Sequence, residues 1–368
     1  MNARLLKISL FLGAVAALAT AAEPNSTPLP STFNGKAAAS YLDSRLTWWS
    51  TWPVSARDHQ TFCVSCHTAL PYAMSRPSLR KTLGESGPSP IEQTFLANVT
   101  KRVRMWNEVE PFYPDSTRGP SKTVESRGTE SILNALVLTS YDTSGKLSAD
   151  TKLAFDNMWS TQLKTGDDKG SWSWLQFHNA PFEGDSQYYG SAMAALAVGM
   201  APGNYRSAPE IQENLDSLRQ YLIRERAKQT LLDRVVLLWA STKIPGLLTR
   251  EQQASIADEV LSKQRPDGGF SLSNLVGDWK RRDKTDLDPR SDGYATGIVT
   301  LVLQQTGMRP DQPQIKRGLA WLVANQDQTE GRWFSYSLNK ERDLTSDVGR
   351  FMSDAATSYA VLSLEQAK

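Results

Sequence analysis

One short stretch of this sequence concentrates residues able to form covalent bonds or bind a metal: Cys63–Val64–Ser65–Cys66–His67. It holds both cysteines and one of the three histidines of the 368-residue chain. Two thiols at this spacing can add to the two vinyl groups on one edge of a haem. A histidine directly after the second thiol can then ligate the iron. C-x-x-C-H is the attachment signature for c-type haem, and it assigns one covalent haem c to Cys63 and Cys66, with His67 as the proximal iron ligand. Two other chemistries compete. Zinc could be held by His59, Cys63, Cys66 and His67, but adjacent Cys66 and His67 fit poorly around one tetrahedral ion. A redox-active disulfide of the thioredoxin type needs a βαβ context, and the surrounding pattern here is helical.

Iron held by His67 has a sixth position. His59, His178, Met74 and Met105 are candidates, since His and Met are the usual second ligands of low-spin electron carriers. Met74 and His59 lie only a few residues from His67, which makes the opposite haem face hard to reach. His178 is favoured by its place in a long connection at about 165–185, within the stretch Trp172–His178, because the long connections should gather at the end that carries the haem motif. Trp48, Trp49 and Trp52 precede the motif and either pack on the porphyrin or seal the first helix. Trp279, Trp333, Phe334 and Tyr336 are expected to add an apolar wall. Arg57, Arg76 and Arg80 flank the site; they either pair with haem propionates or are solvated. Asp115, Glu183 and Asp185 are the acids that the loops offer to a cavity.

The elements that must position these residues are helices of two kinds. Ile211, Leu215, Leu218 and Leu222 form an apolar stripe with charged residues between, and Ile315, Leu319 and Leu322 repeat the spacing. Such a helix shows one face to a core and the other to water. Ser131–Leu138, Ser191–Gly199, Ala295–Leu303 and Ala355–Leu364 are apolar nearly all round and must be covered on every side. Exposed helices are expected to begin near 36, 89, 148, 208, 249 and 312, and buried ones near 66, 126, 186, 229, 292 and 353. The fold class is all-α, an α/α6 toroid of about twelve alternating inner and outer helices, with an open helical solenoid as the alternative. The long connections all run from outer to inner helices. They gather at one end, and the first of them carries the haem motif.

Local signals repeat. Gln162…Gly170–Ser171–Trp172, Gln264…Gly268–Gly269–Phe270 and Gln326…Gly331–Arg332–Trp333 each pair a helix-ending Gln with a glycine turn and a returning aromatic. Asp185, Asp292 and Asp354 stand where buried helices open and are expected to cap them. These signals resemble the QW-type repeats of the squalene–hopene cyclase and protein prenyltransferase superfamily, and the motif at 63–67 resembles that of c-type cytochromes. The first resemblance covers the chain from about 36 onward and implies the toroid. It does not carry the cyclase chemistry, because the DxDD acid motif is reduced here to Asp292–Gly293–Tyr294–Ala295. Asp286–Leu287–Asp288–Pro289 is closer as a string but ends in Pro and lies in a loop. Nor does it carry the prenyltransferase zinc set, because no Cys follows Cys66.

Residues 1–22 read as a signal peptide: Arg4 and Lys7, an apolar Ile8–Leu18, then small residues at 19–21. Residues 23–35 read as a flexible leader, and 36–368 as one toroid domain with the haem-attachment segment at 59–80. The expected location is periplasmic or secreted, with no membrane span after cleavage. With 41 basic and 39 acidic residues the net charge is +2, which points away from a nucleic-acid partner. The expected function is one-electron transfer by an exported monohaem c-type cytochrome with a periplasmic redox partner. The alternatives are a haem enzyme or sensor with an open sixth position, acting on a small or apolar, isoprenoid-like ligand, and a cyclase-like binding or scaffold protein.

Overall fold

The computed structural model describes residues 32–184 and 186–368. The signal-peptide reading, the leader as far as residue 31 and the expected cap at Asp185 lie outside the described residues. The helices are α1 (Gly35–Thr51), α2 (Ala69–Leu83), α3 (Pro90–Arg104), α4 (Asp115–Arg118), α5 (Lys122–Tyr141), α6 (Ala149–Ser160) and α7 (Tyr188–Met200). They continue with α8 (Gln212–Glu225), α9 (Leu231–Ser241), α10 (Arg250–Leu261), α11 (Gly293–Gln305), α12 (Pro313–Ala324) and α13 (Phe351–Gln366). Two strands, β1 (Ala56–Arg57) and β2 (Thr61–Phe62), form a small antiparallel ribbon ahead of the cysteine motif.

The protein is all-α, and its inner helices close into a ring. Helix α2 packs on α5, α5 on α7, α7 on α9, α9 on α11, α11 on α13, and α13 back on α2. Helices α1, α3, α6, α8, α10 and α12 lie outside them. Burial follows the two sequence patterns. On α8 only Leu215, Leu218, Tyr221 and Leu222 are buried, one stripe of an otherwise wet helix. On α11 every residue from Gly293 to Gln304 is buried. Such a helix is stable only where neighbours cover it on all sides. Close approach needs small residues: a Cβ on Gly297 would lie 2.7 Å from the Ala360 backbone nitrogen of α13.

The repeated Gln acts as a clamp. Gln162 Nε2 donates to Gly170 O (3.0 Å) in its own turn and to Asn214 O (2.9 Å) at the start of the next outer helix. Gln264 does the same with Gly268 O (2.9 Å) and Gln314 O (2.8 Å). Gln326 Nε2 donates to Gly331 O (3.0 Å) and, across 292 residues of chain, to Asn34 O (3.1 Å) ahead of α1. The third clamp therefore joins the last repeat to the first and closes the outer layer. The returning indoles have a second use. Trp172 Nε1 donates to Met158 O (2.7 Å) and Trp333 Nε1 to Leu322 O (2.6 Å), satisfying carbonyls near the C-termini of α6 and α12. Asp292 caps α11 as expected, accepting from the amides of Tyr294 and Ala295.

Candidate functional site

The segments 52–68, 105–121, 161–184, 262–292 and 325–350 lie at the end of the ring where the inner helices begin. Several of them converge on one cavity. Its walls include Cys63, Cys66 and His67 of the motif, Trp49 and Trp52 from the end of α1, Phe112 and Tyr113, Phe182 and Glu183, and Arg342, Phe351 and Met352. The cavity holds about 190 Å³, within about 920 Å³ of empty space once its open mouth is counted. Val54, 53% exposed, stands at the mouth.

The backbone of the motif is fixed from both sides. Trp49 Nε1 donates to Cys63 O (2.6 Å), and the Cys63 amide donates to Ser55 O (2.8 Å). Asn98 of α3 brackets Phe62, accepting from its amide (2.8 Å) and donating to its carbonyl (3.0 Å). Ser65 Oγ accepts from the amides of Thr68 and Ala69 and so starts α2. Both cysteines are buried and unbridged. Burial pushes the Cys63 thiol up to about 12 and raises Cys66 well above the ordinary thiol range. Each side chain therefore stays a neutral thiol at physiological pH.

The His67 imidazole lies between Phe351, stacked at 3.9 Å, and the edge of Trp49 at 5.1 Å. Burial, helped by Arg45 and Arg342, lowers it to about 3, so the ring is neutral. Its Nδ1 lies 2.9 Å from Thr68 Oγ1, whose hydroxyl donates to Asp354 Oδ2 at 2.7 Å. Asp354 was expected to cap a buried helix. Instead it lies inside the first turn of α13, and its carboxylate accepts from Tyr41 Oη (2.7 Å), Arg45 Nε (2.8 Å) and Thr68 Oγ1.

The remaining sequence candidates are dispersed. His178 stacks on Trp279 at 4.1 Å, and its Nε2 lies 3.1 Å from Lys280 O; it is not brought to the cavity. His59 is exposed and turns to Asp58 at 3.5 Å. Met74 lines a separate space at the opposite end of the ring, with Trp239 and Leu301. Met105 ends α3 away from the cavity. Arg76 is buried against Asp43 and Glu85, Arg80 pairs with Glu92, and Arg57 donates through Nη1 to the carbonyls of Val54 and Ala56 while its guanidinium lies 4.9 Å from the centre of the Tyr113 ring. Asp115 is tied to Thr123. Among the described residues no three His, Cys, Asp or Glu side chains converge as a metal-holding group, so the four-donor zinc set is not assembled.

Trp279, Trp333, Phe334 and Tyr336 are not the wall; Phe112, Tyr113, Phe182 and Phe351 are, together with Trp49 and Trp52. Two cavity groups escaped the sequence reading. Arg342 lines the cavity with no carboxylate partner among the described residues, and Met352 offers the cavity's thioether. Of the candidate acids among the described residues, Asp115 does not reach the cavity and Glu183 does. One of its oxygens accepts from Asn179 Nδ2 (3.3 Å), and burial raises it to about 7.

No protein-family model matches the chain, and no curated protein matches it.

Proposed function

We propose that this chain is an exported c-type haem protein whose cofactor is attached through Cys63 and Cys66. The carrying observation is that both thiols and the His67 ring wall the same cavity, between aromatic side chains. The donor set suits the group. Two unbridged thiols are the reactants needed for addition to vinyl groups, an imidazole whose Nδ1 is engaged by Thr68 leaves Nε2 available to iron, and the Arg342 guanidinium, with no carboxylate partner among the described residues, suits a propionate. The enclosed volume is smaller than the ~300 Å³ lower range of ligand pockets. Loading therefore requires the half-exposed Trp52, exposed Val54 and half-buried Arg342 at the mouth to turn outward.

Bound there, the iron would supply one-electron chemistry, cycling between ferric and ferrous. The protein's part is to hold the thiols fixed, to keep His67 neutral and oriented, and to exclude water with Trp49, Phe182 and Phe351. Electron transfer to a periplasmic redox partner is the leading reading. A second reading, a haem enzyme or sensor, is favoured by the placement of His178 outside the cavity. In that reading Glu183, which lines the same cavity, would hold a proton there.

The test is an optical spectrum of the chain matured in a host with haem-attachment machinery. Covalent haem survives denaturation, and Cys63→Ala/Cys66→Ala abolishes it. Low-spin bands indifferent to carbon monoxide support electron transfer, and a spectrum shifted by carbon monoxide supports the enzyme or sensor. A colourless product, while a control cytochrome matures, overturns the proposal.

A further inference from the structure

The hydrogen bonds behind His67 have a direction that can be worked out. Asp354 lies 2.8 Å from the Arg45 guanidinium, which is always charged. Arg45 is itself buried, reaching Asp347 Oδ1 at 2.7 Å with a second nitrogen. Burial raises the Asp354 carboxyl, and Arg45 and the hydroxyls of Thr68 and Tyr41 offset part of that rise. The permanently charged Arg45 at 2.8 Å and the two hydroxyl donors are the partners of a carboxylate rather than of a neutral acid. An ionised Asp354 only accepts, so the single Thr68 proton goes to Asp354 Oδ2. Thr68 Oγ1 then has only lone pairs to offer His67 Nδ1, and Nδ1 must carry the hydrogen. Each member is buried: Thr68 is 2% exposed and Asp354 1%. In such surroundings polar groups hold their partners firmly.

We infer that Asp354, acting through the Thr68 hydroxyl, is a positioning residue for His67 that fixes its tautomer and sends electron density towards Nε2. The inference rests on the proposed haem reading for its redox consequence, but the tautomer is a property of the polypeptide alone. Partners of this kind behind a ligating histidine raise its basicity, and losing them typically changes metal affinity 10- to 100-fold. A more basic Nε2 favours ferric over ferrous iron. The relay also spans the ring closure. Thr68 immediately precedes α2, Asp354 belongs to α13, and Tyr41 and Arg45 belong to α1, so the same contacts that join the two ends of the chain orient the ligand.

The experiment has two readouts on the full chain. Nitrogen-15 NMR of the unloaded protein, with only three histidines to assign, reports the His67 tautomer; the expected form is Nδ1–H. The midpoint potential of the haem-loaded protein reports the electronic effect. Thr68→Val is expected to raise it by a roughly tenfold change in redox equilibrium constant, about 59 mV for one electron, and Thr68→Ser to restore it. An Nε2–H tautomer in the wild-type chain overturns the inference even if Thr68→Val does not fold. So does a loaded Thr68→Val protein with unchanged potential. Failure of the wild-type chain to take up haem instead sinks the haem reading, and the tautomer still judges the relay.

Discussion

Replacing Gln326 with alanine asks whether the helices close into a ring or merely stack. Gln326 Nε2 serves Asn34 O and Gly331 O, and its Oε1 accepts from the Asn34 amide at 2.7 Å. The substitution removes three hydrogen bonds to backbone groups, although Asn34 O keeps the Ala38 amide at 3.1 Å. At roughly 1 kcal/mol each for partly buried groups, the expected cost is ~3 kcal/mol. Gln162→Ala strips two carbonyls, Gly170 O and Asn214 O, and should cost ~2 kcal/mol by the same reasoning. Urea unfolding followed by far-UV circular dichroism gives both values, compared at equal m so that the midpoints report stability. In an open solenoid the first and last repeats would not touch, and Gln326→Ala would behave as an ordinary surface change, within about 0.5 kcal/mol. That small value, beside a full loss for Gln162→Ala, would refute the closed ring.

Two further outcomes follow from packing and burial. Gly297→Ala places a Cβ 2.7 Å from the Ala360 nitrogen and 2.9 Å from the Tyr359 carbonyl carbon, so α11 and α13 must separate. A loss of about 1–3 kcal/mol is expected in urea unfolding, whereas Gly87→Ala, with nothing within 4 Å, should be near neutral. Glu183 gives a pH signature. Its carboxyl moves from 4.5 when unfolded to about 7 when folded, mainly through burial. Between those values the folded state binds more protons than the unfolded one, so this group lowers stability as pH rises through that window. At about 1.4 kcal/mol per pH unit the total is ~3 kcal/mol. Asp233 and Asp292, raised to about 6, act with the same sign. Glu183→Gln should flatten the fall in urea midpoint between pH 5 and 7, and an unchanged slope would contradict the assignment.

The alternation of helices was readable because an outer helix such as α8 has one apolar stripe and an inner helix such as α11 has none that is polar. The expected starts near 89, 249 and 312 lie beside the observed Pro90, Arg250 and Pro313, where local signals exist: capping boxes at Ser89–Glu92 and Thr249–Gln252, and prolines in the first turn of α3 and α12. The C-x-x-C-H stretch was readable because its chemistry is contiguous. What supports it was not. Thr68 and Asp354 are 286 residues apart, and Asp354 looked like one more helix cap until α1 supplied Tyr41 and Arg45. Topology placed the segment carrying His178 at the correct end of the ring. The turn of that ring onto Trp279 depends on a local positive φ of 51° that no periodicity encodes.

The central claim is that Cys63 and Cys66 carry a covalent haem. Its most direct test is peptide mass spectrometry on the chain matured with haem-attachment machinery. The fragment containing Cys63–His67 should carry one haem on both sulfurs, and no other fragment should carry any. A fragment of unmodified mass with two free or alkylatable thiols, from a host that matures a control cytochrome, would contradict the account.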